Sequence, residues 1–428
     1  MSKFKRFCLL SVAASSVMAA SAAAQGENYY SRDKYESVLD RRQPAYDPEP
    51  IRLGAFLVNS NASASLTYVD NIRATNSNEE SGTVARLGME VAARTNWNVH
   101  EIGLDVSAFR NEYIEGDEES SNDLRGRLRG RLNVSRDVSV GGAVFVEDRV
   151  EARTDLANAS GLDRPIGITR VGASVNANYQ SDRFRWTNFV EASQENYEDG
   201  REAGTGILVD QDYRDSSTTV AQTRLSYAVS PNLAVYTQGS IIDRSYDEPQ
   251  FLGGAFRSRD SSGYTVAAGA DFELNSLVRG DIAIGYLNED KDDDYFNDVD
   301  GVSVDGRMQW FPSRLTTVGF TAGRRVVDIG VIDSPSALQT NFGARVDHEL
   351  RRNVILSAEA SVSSYDYQEI DRTDDINDLS LTAAYKLSKR VHVEAFARHI
   401  ARDSSGAGVF GDPSYDVNQI GVGLKLYP

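Results

Sequence analysis

Four arginines, Arg125, Arg127, Arg129 and Arg131, alternate with Leu124, Gly126, Leu128, Gly130 and Leu132. Successive side chains of an extended strand point to opposite faces, so this spacing builds a ladder of guanidinium groups backed by an apolar row. Guanidinium is permanently charged, planar and forked, which suits it to contact with carboxylates or hydroxyls rather than to proton transfer. The preceding segment offers Glu101 and Asp105 to the same side and the following one Glu147 and Glu151, so a basic row between two acidic ones is expected. Two roles are open to it. The charges could neutralise one another and brace a wall, since exposed ion pairs contribute little singly, or the row could select what moves past it.

Other chemistry is sparse. The four histidines, His100, His348, His392 and His399, are each expected on a different strand, and no G-x-S-x-G nucleophile motif is present, so neither an enzyme nor a cofactor is expected. Asp290, Asp292 and Asp294, followed by Asn297, Asp298, Asp300 and Gly301, have the look of a calcium loop. The loop lacks a glycine at its sixth position and a glutamate at its twelfth, and reads as a solvated tip with at most a weak hold on divalent cations. The acidic stretches 115–123 and 369–378 read as loops of the same kind. With 45 Lys and Arg against 63 Asp and Glu the net charge is −18, which argues against nucleic acid as a partner.

The elements that position these groups follow from three patterns. Residues 1–24 read as a signal peptide: Lys3, Lys5 and Arg6, an apolar stretch from Phe7 to Ala20, and small residues Ala22, Ala23 and Ala24 before Gln25. The single cysteine, Cys8, lies inside it, which leaves the mature chain without a disulfide, a thiolate metal site or a cysteine nucleophile. No run of eighteen apolar residues follows, so spanning helices are out; a barrel needs only alternation.

That alternation continues from about Leu53 to the end, punctuated by eight short polar turns near residues 95, 136, 182, 231, 275, 313, 352 and 389. Successive turns lie roughly 40 residues apart, and each interval holds two alternating segments joined by a longer acidic, Gly-rich loop. Adding one strand at each end gives an all-β chain, a transmembrane antiparallel β-barrel of about 18 strands, with both termini on the short-turn side. A propeller of similar period would need four strands of about five residues per interval, whereas two of a dozen or more fill each here. Tyr179, Trp186, Tyr227, Phe272, Trp310 and Tyr385 collect beside the short turns, as an aromatic girdle at a membrane interface would. Residues 25–52 form a polar periplasmic segment ahead of the barrel at 53–428. Pro44, Pro48 and Pro50 discourage regular structure there, and 30–42 could form a short helix. A loose tail and a segment that plugs the lumen or docks on a partner are both open.

Three short stretches carry a resemblance: Tyr46, Asp47 and Pro48 within RQPAYDP, Arg52 and Gly54 within IRLGAF, and Tyr68, Asp70 and Asn71 within YVDNI. With the looser barrel pattern that follows, the chain resembles the putative β-barrel porin 2 family of outer-membrane proteins. The resemblance implies a porin-like channel and no catalytic residues; some members accompany exopolysaccharide export. The expectation is therefore an aqueous passage through the outer membrane of a Gram-negative bacterium, for export of an exopolysaccharide or for hydrophilic solutes. Its partners would be outer-membrane lipid, lipopolysaccharide and periplasmic polysaccharide export machinery. A non-conducting structural or adhesive barrel, working through its acidic loops, is the alternative.

Overall fold

The computed structural model describes residues 36–157, 161–331, 334–406 and 413–428, so the signal peptide expected at 1–24 lies outside the described residues. Of the stretch 30–42, the described part, 36–42, forms turns rather than helix. Eighteen antiparallel strands close into one barrel. They are β1 (Phe56–Val69), β2 (Gly82–Thr95), β3 (Glu101–Tyr113), β4 (Ser121–Asn133), β5 (Val138–Val150), β6 (Gly167–Ser181), β7 (Phe184–Tyr197), β8 (Ser216–Ser230) and β9 (Leu233–Tyr246). The round continues with β10 (Ser261–Leu274), β11 (Val278–Lys291), β12 (Val299–Ser313), β13 (Thr316–Val331), β14 (Ser334–Arg351), β15 (Val354–Tyr367), β16 (Thr373–Lys386), β17 (Val391–Ser405) and β18 (Tyr415–Leu426).

The two faces of the wall follow from residue type. On β4, Leu124, Leu128 and Leu132 are exposed on the outside, where lipid would cover them, and the arginines take the inner face. All eight short turns fall where the polar punctuation predicts. One of them uses Asn275 and Ser276 at φ +51° and +58°, the left-handed pair that matches the twist of a hairpin. Of the six girdle aromatics, five are exposed on the outer face near these turns and Phe272 is half-buried; Tyr68, Tyr264 and Tyr286 are exposed nearer the other end. One interval departs from the expected pattern. Between the turns near 313 and 352, β13 and β14 run to Val331 and from Ser334, so two residues stand where a longer loop was expected.

Closure joins β1 to β18 in register from Ala62 opposite Leu426 to Val69 opposite Gln419. Because β18 stops there, the lower part of β1 has no partner on that side. Ile51–Leu53 turns back through Gly54, at φ +59°, and pairs with Val58, Leu57 and Phe56 to cover it. An uncovered strand edge would otherwise leave backbone groups unpaired beside lipid. At the other end of the seam, Asp70 accepts from the backbone N–H and the side-chain amide of Asn418, both at 2.7 Å. Asn71, 1% exposed, donates to the carbonyls of Thr75 (2.6 Å) and Asp416 (3.0 Å). Gly54, Asp70 and Asn71 of the resemblance are thus the parts that shut the barrel, and Tyr68 is in register with Ile420 across it. The apolar clusters lie at the long-loop end, one around Val69, Ile72, Tyr415 and Val417 and one around Val327, Ile329, Tyr365 and Tyr367.

Candidate functional site

The arginine row stands on the inner wall. In register, Arg131 faces Glu101 and Arg127 faces Asp105 on β3, while Arg125 faces Glu147 on β5. Side chains do not follow register strictly. Arg129 leans over Gly103, where a Cβ would meet its Nε at 2.7 Å, and thereby reaches both Asp105, which accepts its hydrogen bond, and Glu101 at 3.8 Å. Arg131 has only Glu101, at 4.0 Å, and Arg125 and Arg127 make neither hydrogen bond nor ion pair among the described residues. Glu151 is not part of this row. Strand β5 ends at Val150 and the chain then turns into the lumen, so Glu151 is buried against Arg214 at 2.5 Å instead.

Above the row the long-loop mouth is filled by the chain itself. Strand β13 pairs with β12 only as far as Val304 opposite Arg324, although β12 continues beside β11 to Val299. Beyond that point the β13–β14 hairpin parts from β12, while β14 stays paired with β15 as far as Ala337 opposite Tyr367. Residues 334–339 are buried without alternation, as happens when both faces of a strand meet protein. Arg259, 1% exposed, donates to the Ile329 carbonyl at 2.9 Å and to Asp328 at 3.3 Å. The hydroxyl of Tyr246 donates to Asp328 at 2.6 Å and that of Tyr213 to the Gly330 carbonyl at 3.2 Å. Side chains from the β7–β8 and β9–β10 regions thus hold residues 328–330 of the hairpin. Val327, Ile329 and Ala337 meanwhile pack with Tyr365 and Tyr367, and Leu156 joins them from the β5–β6 loop.

The described part of that loop, 151–157 and 161–166, is tied on several sides. Glu151 pairs with Arg214, Arg153 with Glu119 at 2.7 Å, and Tyr415 on β18 donates to the Thr154 carbonyl at 2.8 Å. Burial, reinforced by Glu151, pushes the Asp155 carboxyl up to about 7. None of these pairs is visible as a motif, because partners such as Glu151 and Arg214 are far apart in sequence and a lone acidic or basic residue looks the same whether solvated or paired. The stretch 369–378 likewise proves to be loop only in part. Asp374 and Asp378 lie on β16, where Asp374 is fully buried between Arg372 and Arg402 (2.9 and 2.6 Å) and Asp378 pairs with Arg398.

At the short-turn mouth residues 36–49 follow the inner wall. The Val38 N–H donates to Thr317, Arg41 and Gln43 reach Glu349 at 2.9 and 3.1 Å, and Lys386 donates to Asp47 at 3.0 Å. Nε2 of His392 donates to the Tyr46 carbonyl at 3.0 Å. These partners lie on β13, β14, β16 and β17 in turn, so the segment traces an arc along the rim; Pro48 continues it toward Arg52 at the β1 edge. One expected placement changes. His392 and His399 share β17 while His100 sits in a turn. Asp290, Asp292 and Asp294 are not drawn together; among the described residues the carboxylates that converge, within 4.8 Å, are Asp199, Asp210 and Asp212, all exposed.

An 18-stranded closed sheet, apolar outside and charged within, is an outer-membrane β-barrel of the porin type. Residues 43–427 match the family described as "Putative beta-barrel porin 2", and the chain belongs to it. No curated protein matches the chain in sequence. Solved structures similar to it include the copper transporter OprC, with 13% identity over 89% of this chain and 81% of that one and a TM-score of 0.49. A ferric enterobactin receptor from Pseudomonas aeruginosa has 6% identity over 87% and 80%, TM-score 0.48. A BenF-like porin from Pseudomonas fluorescens has 12% over 87% and 99%, TM-score 0.46. The family match and the barrel, apolar outside and charged within, place the protein in the bacterial outer membrane.

Proposed function

We propose that the protein is a gated channel that passes hydrophilic, acidic solutes, an exopolysaccharide chain among them, across the outer membrane. A cleaved signal peptide at 1–24 delivers it to the periplasm, lipid and lipopolysaccharide surround its apolar belt, and periplasmic export machinery meets the mouth lined by residues 36–49. The observation that carries the gating is the β13–β14 hairpin. Continuing the β12–β13 register upward would set Val302 opposite Val326 and Val299 opposite Ile329, so β12 keeps an unfilled berth for the segment that covers the lumen. Returning the hairpin to the wall pairs that edge and uncovers the mouth. A non-conducting barrel is the second reading, and the apolar packing of the hairpin on Tyr365 and Tyr367 favours it.

The mature chain lacks cysteine, so a Val302→Cys, Val326→Cys double variant reports on the hairpin directly. Oxidation is expected to trap a disulfide and raise the open probability in planar bilayers, with reduction reversing both. A folded variant that never crosslinks and a wild-type barrel that never conducts would together favour the second reading.

A further inference from the structure

Between β4 and β7 the inner wall is hollowed into a cavity of about 220 Å³. Its floor is β5, where Gly141 and Ala143 bring almost no side chain to the inner face. A Cβ on Gly141 would lie 2.4 Å from Oδ1 of Asn176, so the floor is open only because the residue is glycine. Register sets the two banks. Arg131 stands beside Gly141 on the β4 side, Asn176 stands beside it on the β6 side, and Phe189 follows Asn176 on β7.

The banks differ in chemistry. Asp105 and Glu101 already engage Arg129, but Arg131 is 53% exposed with its only carboxylate 4.0 Å away. Arg127 is exposed and makes neither hydrogen bond nor ion pair among the described residues. Glu191, near Arg127, is held by Arg170 at 3.1 Å. Opposite stand the amide of Asn176, the hydroxyl of Ser174 and the ring of Phe189, which lines the cavity at 7% exposure. Guanidinium forks bind carboxylates in two-point fashion. An amide and a hydroxyl serve sugar hydroxyls, and an aromatic ring serves the apolar face of a sugar. The cavity is smaller than the roughly 300–1,000 Å³ of drug-sized pockets, which suits a single ring.

We propose that this trough is a binding subsite for one carboxylated sugar unit, its carboxylate on Arg127 and Arg131, its hydroxyls on Asn176 and Ser174, and its apolar face against Phe189. The subsite takes its purpose from the passage reading, but its binding chemistry stands apart from it. Isothermal titration of the full-length mature protein in detergent tests it, with sodium glucuronate, sodium acetate and glucose as probes. Glucuronate is expected to bind saturably and about tenfold more tightly than either acetate or glucose. An Arg127→Gln, Arg131→Gln double variant should lose about tenfold, and Arg127→Lys less than that. Gly141→Ser should weaken binding without changing charge. Folding of each variant is checked by its heat-modifiable gel mobility. Equal affinity for acetate and glucuronate would reduce the trough to plain anion attraction and overturn the proposal, as would folded variants that bind like wild type. A barrel that conducts but does not bind glucuronate overturns the subsite alone; one that binds but never conducts overturns the passage reading alone.

Discussion

Replacing Arg259 by glutamine should release the hairpin that covers the mouth. The guanidinium is 1% exposed and holds the hairpin at two points, the Ile329 carbonyl and the Asp328 carboxylate. Removing one partner of a buried ion pair costs about 3–5 kcal/mol, mostly because the other charge is left uncompensated. Here Asp328 keeps the neighbouring Arg244 and the Tyr246 hydroxyl and is 27% exposed, so the cost falls below that range, roughly 2–3 kcal/mol after screening by solvent. At about 1.4 kcal/mol per factor of ten, the hairpin's packing over the lumen weakens roughly 30- to 150-fold relative to its wall-paired state. Single-channel recording in planar bilayers reads this as a rise in open probability of that order, with unit conductance unchanged because the wall is intact. Heat-modifiable mobility confirms that the barrel is folded. A folded Arg259→Gln barrel with wild-type open probability would refute the reasoning, because the contact would then not hold the mouth shut.

Three further outcomes are expected. The Asp155 carboxyl, raised to about 7 by burial and by Glu151, with Arg149, Arg214, Tyr365 and Tyr415 also acting on it, returns to about 4 when its loop is released. Between those values the packed loop holds a proton that the released loop does not, so packing strengthens as pH falls below about 7 and weakens as pH rises through it. Open probability should therefore increase from pH 6 to pH 8, and Asp155→Asn should be flat over that interval. Replacing Arg125, Arg127, Arg129 and Arg131 together by glutamine should leave a folded barrel whose reversal potential in a salt gradient shifts toward cations. An unshifted potential would leave the row a bracing feature of the wall. Asn71→Ala removes the amide that bonds the Thr75 and Asp416 carbonyls at the seam, which should cost about 1–3 kcal/mol and lower the temperature of the mobility shift; an unmoved transition would mean that strand pairing alone secures closure.

Much of the wall was legible because membrane and water impose a local rule. A strand between lipid and lumen must alternate, and a short turn must be polar, so Leu124 to Leu132 declares its own two faces and eight turns set the strand number. The arginine row was legible for the same reason, since i and i+2 share a face whatever the rest of the chain does. Three motif positions, Gly54, Asp70 and Asn71, were visible as a pattern, but their task at the seam appeared only when β1 met β18.

The mouths were decided by contacts that no local period encodes. Strand β13 continues past Arg324 but leaves β12 there, where Arg259, Tyr213 and Tyr246 bond the Ile329 and Gly330 carbonyls and the Asp328 carboxylate. Glu151 reads as one more acidic residue of a strand until the chain turns inward and Arg214 meets it. The trough on the inner wall depends in the same way on four strands lying side by side, with Gly141 between Arg131 and Asn176. Alternation settles which face a side chain takes, but what it meets on that face depends on segments far away in the chain, and only the closed barrel brings those together.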